Sequence, residues 1–135
     1  MQKLSARERI SQSEPPVVAT LEGEKAKRFR ARTMLIPSPH QVRDAISEIP
    51  VGSTLTLKEL QLKLARAAAA DVSCPFATRI CWQLVAEAAE EDRAEGISPV
   101  TPWWRVTKDK HPNPKLPGGS ERHCALLGQE GVWIS

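Results

Sequence analysis

The chain of 135 residues lacks the features that mark membrane and secreted proteins. No apolar run approaches the roughly 20 residues that a transmembrane helix needs. No apolar signal-peptide segment follows Met1 either. We therefore expect no membrane partner and a location in the reducing cytoplasm, nucleoid-associated if the protein binds DNA.

Cysteine and histidine are scarce, with three residues of each. Cys74, Cys81 and Cys124 are odd in number and match no zinc or disulfide spacing. The three histidines complete no metal-binding set, so we expect no metal and no cofactor. Because His123 precedes Cys124, a reactive thiol at Cys124 is one interpretation; the alternative is that the cysteines are buried and inert.

Charge is modest in sum and uneven along the chain. The composition, 41% hydrophobic and 26% charged, is that of one soluble, packed domain, which we expect to be a monomer. The net charge of +3 divides into +4 for residues 1–33, −3 for residues 34–96 and +2 for residues 97–135. The basic ends could contact a polyanion; the alternative is ordinary solubility.

Residues 1–33 show no sustained apolar periodicity. They contain Glu14-Pro15-Pro16 and a basic run from Lys25 to Arg32. Too little apolar surface is present to offset the ordering entropy, so we predict a flexible, disordered tail over 1–33 and a folded domain over 34–135. The basic run is either an arm that touches phosphates or a solubilising tail.

Three helices are predicted in the first half of the domain. Ser38-Pro39 caps the first, which Pro50 ends, and Thr56-Leu57-Lys58-Glu59 is a capping box that opens the second. Cys74-Pro75 starts the third, along which four apolar residues recur every four positions: Phe76, Ile80, Leu84 and Ala88. Its acidic far end should fray near Gly96. The second and third helices fit a helix-turn-helix.

The second half predicts a small wing and a last helix. Five prolines between 97 and 118 exclude a long helix there. Residues 104–108 are predicted as a strand, 109–113 as a turn and the next residues as a return strand. Gly119 opens the last helix and Gly131 closes it, and residues 132–134 should pack back on the domain. The predicted fold class is mainly α: a winged-helix-like domain with a helix-turn-helix and a β-hairpin wing.

Several short motifs occur in a fixed order over about residues 34–132. They are Ile49-Pro50-x-Gly52, Arg79 early in a helix, Pro102-x-x-Arg105-Val106, Pro117-Gly118-Gly119 and Leu126-Leu127-x-x-Glu130-Gly131. In this order the chain resembles the DNA-binding domain of the O6-alkylguanine-DNA alkyltransferase family. The resemblance implies a winged helix that binds double-stranded DNA.

Two tryptophans stand where that family has its reactive pair. Trp103 occupies the position of the alkyl-accepting cysteine, and Trp104 that of its activating histidine. An indole supplies neither a thiolate nor a base, so we expect no enzymatic alkyl transfer and no catalytic residue. The substitution at Trp103 is similar to that in alkyltransferase-like proteins, which bind alkylated guanine and hand it to repair proteins.

The resemblance also implies site residues. Arg79 would fill the base stack vacated by a flipped nucleotide. Lesion and DNA contacts are assigned to Thr78, Arg79, Trp103, Trp104, Arg105, Pro117, Gly118 and Gly119. Phosphate contacts are assigned to Lys108, Lys110 and Lys115. Glu130, having lost the histidine that it would orient, should support the pocket by accepting a hydrogen bond from an indole N–H.

Some residues depart from the family pattern. Leu57 stands at the position of a family tyrosine, and the chain has no tyrosine at all. Ile80 and Trp82 follow Arg79, where small residues are usual, and an acidic run follows them.

Taken with the resemblance, the sequence predicts a non-enzymatic DNA-binding protein that recognises O6-alkylguanine by nucleotide flipping. The alternative is a protein-interaction or small-ligand module on a catalytically dead alkyltransferase frame.

Overall fold

The computed structural model describes residues 4–135, in which six α-helices alternate with five short strands. The helices are α1 (Ala6–Ser11), α2 (Gly23–Phe29), α3 (Pro39–Ser47), α4 (Leu57–Ala67), α5 (Pro75–Ala94) and α6 (Gly119–Gln129). The strands are β1 (Val17–Thr20), β2 (Thr33–Ile36), β3 (Leu55–Thr56), β4 (Val72–Ser73) and β5 (Val106–Thr107). A 3-10 turn, Trp103–Arg105, precedes β5. The architecture is mixed α/β, and its mainly helical character agrees with the sequence prediction.

The strands form two small sheets. In the first, β2 lies between β1, its antiparallel partner, and β4, its parallel partner. In the second, β3 and β5 pair in parallel, with Leu55 opposite Val106. None of the helices in residues 4–135 is long and apolar enough to cross a bilayer.

The predicted hairpin wing is reduced to one bridge. Lys108 and His111 form an isolated antiparallel bridge around a tight turn, in which Asp109 and Lys110 have φ values of 54° and 69°. No return strand follows in the described chain, because the prolines at 112 and 114 have no N–H with which to extend a ladder. The strand preceding the turn pairs with β3 instead.

Local capping signals fixed the helix starts. The hydroxyls of Ser38 and Thr56 each accept a hydrogen bond from the backbone N–H three residues later. The side-chain oxygens of Gln41 and Glu59 in turn accept hydrogen bonds from the backbone N–H groups of Ser38 and Thr56. These two predicted starts, and the end of α5 just before Gly96, are confirmed.

The core lies between α3, α4, α5, α6 and the 3-10 turn. Its largest fully buried side chains include Trp82, Trp103 and Leu127. The apolar repeat predicted along α5 is buried only at its end: Leu84 and Ala88 are buried, whereas Phe76 and Ile80 are 62% and 46% exposed. A spacing of four residues advances 400° around a helix, so such a row drifts from the exposed face to the buried one.

The segment before residue 34 is structured, contrary to the predicted disordered tail. Its described part, residues 4–33, contains α1, β1 and α2; residues 1–3 lie outside the described range. Ser5 and Glu8 form a capping box, Ala6 and Ile10 bury themselves against α5, and β1 pairs with β2. Its α1 docks on the main core, and its Leu21 and Ala31 form a second, small buried cluster with Met34.

The acidic end of α5 holds α1 in place. The carboxylate of Glu91 accepts hydrogen bonds from the backbone N–H groups of Ala6, at 2.7 Å, and Arg7, at 3.0 Å. The Arg7 guanidinium contacts Glu91, Asp92 and Glu95. Desolvation would raise the pKa of Glu91, but these N–H donors and the Arg7 guanidinium together outweigh it, so the pKa is lowered. A carboxylate at a helix N-terminus is favourable, so the acidic run serves as a docking site for α1.

The substitution Glu91→Gln should loosen α1. Charge-assisted hydrogen bonds are worth about 1.5–3 kcal/mol, and Gln keeps one weaker acceptor, so we expect a loss of about 1 kcal/mol in the free energy of unfolding. Urea denaturation measures this loss, and amide hydrogen exchange over residues 6–11 should quicken. Glu14→Gln, on the exposed loop before β1, is the matched control. Equal protection of α1 in both variants would contradict the docking role.

Candidate functional site

The tryptophan segment that was expected to line a base pocket belongs to the core. Trp103 is fully buried and Trp104 is 9% exposed. Their rings meet edge to face with centroids 5.8 Å apart, and the Trp82 indole N–H donates to the Trp103 carbonyl at 3.0 Å. The predicted pocket wall is therefore corrected: neither indole presents a face on which a base could stack.

Glu130 binds two other segments of the chain, the 3-10 turn and the loop after α3. Its carboxylate accepts hydrogen bonds from Trp104 Nε1 at 2.9 Å, from Arg105 Nε and Nη2 at 3.0 and 2.8 Å, and from the Gly52 N–H at 3.4 Å. Arg105 Nη1 also donates to the Ile49 carbonyl at 2.7 Å. The bond from the indole is the one expected for Glu130. Hydrogen bonds from Arg105, more than the other contacts, lower the pKa of Glu130.

A buried histidine holds the loop before α6. His123 Nδ1 accepts the Asn113 N–H at 3.1 Å, so Nε2, at 3.0 Å from the Trp104 carbonyl, must carry the proton and donate. Burial lowers the pKa of His123. Both ring nitrogens are thus occupied, and Cys124 Sγ lies 3.8 Å from the Ile134 carbonyl instead. The sequence pair His123-Cys124 is not a base beside a thiol.

The two predicted contacts at the start of α5 point in different directions. Thr78 is fully buried: its hydroxyl donates to the Cys74 carbonyl at 2.7 Å and lies 3.0 Å from the Ser73 hydroxyl. It is therefore a structural residue, and its assignment to the DNA surface is corrected. Arg79 is exposed, with its guanidinium carbon 5.3 Å from the centroid of the exposed Phe76 ring.

The glycine turn before α6 serves the fold. Gly118 and Gly119 have φ values of 83° and 72°, which favour glycine. A Cβ at Gly118 would lie 2.3 Å from Arg122 Cδ and 2.6 Å from its Cβ. Arg122 packs only against the side of Gly118 on which a Cβ would sit, and Gly118 itself is exposed, so the predicted close approach of a base to this backbone stays a prediction. Pro117 is half-buried beside it.

Two shallow grooves flank the first turn of α5. A groove of about 340 Å³ runs between Phe29 and Pro75, and one of about 200 Å³ runs between Pro75 and Lys108. Lys58 and Gln61 line both. We name the surface formed by Lys58, Pro75, Phe76, Arg79 and Lys108 the α5 face.

Further cations adjoin the α5 face. The basic run from Lys25 to Arg32, predicted as an arm that touches phosphates or a solubilising tail, lies in α2 as far as Phe29. Phe29 lines the larger groove, and the Arg28 guanidinium lies 5.7 Å from the centroid of its ring. Lys110 is close enough to Glu59 to contribute to lowering the pKa of that carboxyl, although the capping bonds from Thr56 contribute more. Lys115 lies on the loop before α6 and lines neither groove. The structure adds Lys58 to the candidate site. It was not predicted, because in the sequence it stands inside the Thr56–Glu59 capping box.

Comparison with known proteins gives no assignment for this chain. No protein-family model matches it, and no curated protein matches its sequence.

The substitution Glu130→Gln should destabilise the fold strongly. The Arg105–Glu130 pair is only 12% exposed on either side, and removing one charge leaves the other buried without its partner. We expect a loss of about 2–3 kcal/mol in the free energy of unfolding. Urea denaturation checks this value, with Glu121→Gln, an exposed residue of α6, the helix that Glu130 follows, as the control. A loss no larger than the control's would contradict the role of Glu130 in holding the 3-10 turn and the loop after α3 together, which we call the clamp.

The stability of the fold should fall on mild acidification. The ordinary pKa of histidine is 6.5 and that of His123 is lowered, so below about pH 6.5 the unfolded chain binds a proton that the folded chain does not. Stability is therefore complete above this value and declines as the pH falls through it. Urea midpoints from about pH 7.5 to about pH 5.5 measure the decline, which precedes protonation of the carboxylates. His123→Gln should show a smaller decline; an unchanged one would contradict the role of His123.

Proposed function

We propose that this protein binds duplex DNA without catalysing a reaction, through the α5 face. The observation that carries the proposal is a set of exposed cations near the start of α5: Lys58 and Lys108 line the groove that reaches Pro75, and Arg79 is exposed one turn along the helix. Such cations gain free energy from phosphates by releasing condensed counterions. The succession of α4, β4 and α5, with the Lys108–His111 bridge beside them, supports a winged-helix interpretation.

The acidic half of α5 does not oppose this proposal. Glu91 is twelve residues beyond Arg79, which is about 18 Å along a helix. That exceeds the Debye length of about 8 Å at physiological ionic strength. Glu91, Asp92 and Glu95 are also compensated by Arg7. Phosphates at the α5 face therefore meet little repulsion from this end.

Recognition of O6-alkylguanine stays a prediction, and the burial of Trp103 argues against it. A flipped base could stack on that indole only if the core opened, and the neighbouring Trp104 is tied to Glu130. The geometry supports contact with the DNA surface better than capture of a base. The expected absence of alkyl transfer rests, as before, on the missing thiolate at position 103.

A second candidate function is docking of a protein, such as a repair partner. It is favoured by exposed apolar side chains at the same surface: Phe76 at 62%, Leu62 at 52% and Ile80 at 46%. Binding to this patch should change little with salt, whereas DNA binding should weaken steeply. The monomeric state and the cytoplasmic, nucleoid-associated location remain predictions.

Fluorescence anisotropy with a short duplex, across a salt series, tests the proposal. Each phosphate contact contributes about one unit to the slope of log K against log salt. Lys58→Ala and Lys108→Ala should each reduce the slope by about one unit, and Arg79→Ala should weaken binding more than Lys110→Ala does. Arg9→Ala, an exposed cation on α1, is the control and should leave the slope unchanged.

The same titration separates the candidates. Equal loss in the Arg9 and Lys58 variants would place the DNA elsewhere, and no binding at low salt would favour the protein-docking alternative. A second duplex carrying a single O6-methylguanine tests lesion recognition. We expect equal affinity for the two duplexes, since Trp103 is covered; tighter binding to the modified duplex would revive the base pocket.

A further inference from the structure

A half-enclosed cavity of about 280 Å³ lies between α1, α3 and α5, at the end of α5 away from the α5 face. Its floor is apolar: Ile10, Val85, Ala88 and Ala89 are all less than 10% exposed. The two alanines leave the space open, because neither has a side chain beyond Cβ. Docking of α1 on Glu91 supplies one wall, so the cavity exists only while the N-terminal segment is folded.

The rim of the cavity is polar and carries unused donors. Within residues 4–135, the side chains of Ser11, His40 and Thr101 make no hydrogen bond to the protein. In the described part of the chain the Arg43 guanidinium, on the same face of α3 as His40, forms one salt bridge, to the exposed Asp44 at 3.8 Å. Polar side chains and one weakly paired cation therefore line a cavity whose floor is apolar.

The charges on the rim limit the ligand. Arg7 is already compensated by Glu91, Asp92 and Glu95, and Asp92 itself lines the cavity. Only Arg43 is left to compensate an incoming negative charge. A dianion such as phosphate would meet repulsion from Asp92, whereas a single carboxylate could pair with Arg43 and stay clear of it.

We infer that this cavity is a binding site for a small monocarboxylate with a compact apolar body. The carboxylate pairs with Arg43 and takes further donors from His40 and Thr101, and the apolar body covers the alanine floor. The volume lies at the small end of ligand pockets, which suits a single ring or a short acyl chain. The site is independent of DNA binding.

Isothermal titration calorimetry with benzoate and hexanoate tests the inference on the full chain. Benzamide, which has the shape of benzoate without its charge, and inorganic phosphate are the comparison probes. We expect both carboxylates to bind. Benzamide should bind at least about tenfold more weakly because it loses the charge-assisted contact with Arg43, and phosphate should bind at least about tenfold more weakly because Asp92 repels the dianion. Equal affinity for benzoate and benzamide would overturn the assignment, as would the absence of heat with both carboxylates at about 10 mM.

Two variants place the ligand in the cavity. Arg43→Gln should weaken benzoate binding at least about tenfold, while Arg66→Gln, an exposed cation on α4, should not. Ala88→Leu fills the floor and should abolish binding of every probe. Because that variant introduces bulk next to the core, its far-ultraviolet circular dichroism has to match that of the parent chain. Unchanged benzoate affinity in Arg43→Gln would by itself refute the site.

Discussion

The carboxylate of Glu130 sits where the end of α6, the 3-10 turn and the loop after α3 come together. A charge buried to this degree is tolerated only when its partners are in place, and here Arg105, Trp104 and Gly52 supply them. The clamp keeps the tryptophan segment pressed into the core. The carbonyl of Trp103 in turn receives the Trp82 indole N–H, which fixes the rotation of α5 about its axis. With that rotation set, Thr78 turns inward while Phe76 and Arg79 turn to solvent.

Features encoded by neighbouring residues could be predicted from the sequence, and features that depend on distant contacts could not. The capping boxes at Ser38 and Thr56 span four residues each and are readable in isolation. The bond from Ala6 to Glu91 spans 85 positions, so the docking of this segment could not be predicted, although the Ser5–Glu8 capping box that opens α1 is itself a local signal. The pairing of β5 with β3 could not be predicted either, because parallel strands lie far apart in sequence and no local pattern links them.

In the candidate site, too, some features could be predicted from the sequence and others depend on distant contacts. The contact between Trp104 and Glu130 could be anticipated because both positions belong to a recognisable order of motifs. The burial of both tryptophans depends on how tightly the surrounding helices close, and no spacing reveals that. Lys58 could be read only as part of a cap, because its position beside Lys108 follows from the pairing of β3 and β5.

The two ends of α5 therefore differ: its acidic end is occupied by α1, and its first turn is exposed to solvent beside Lys58 and Lys108. The most direct test of this account is a titration of the ¹⁵N-labelled chain with a short duplex, followed by amide chemical shifts. The account predicts shifts at Lys58, Phe76–Ile80 and Lys108, with the amides of α1 and of residues 88–95 unmoved. Shifts concentrated on α1, or none at low salt, would contradict a DNA-binding role for the α5 face.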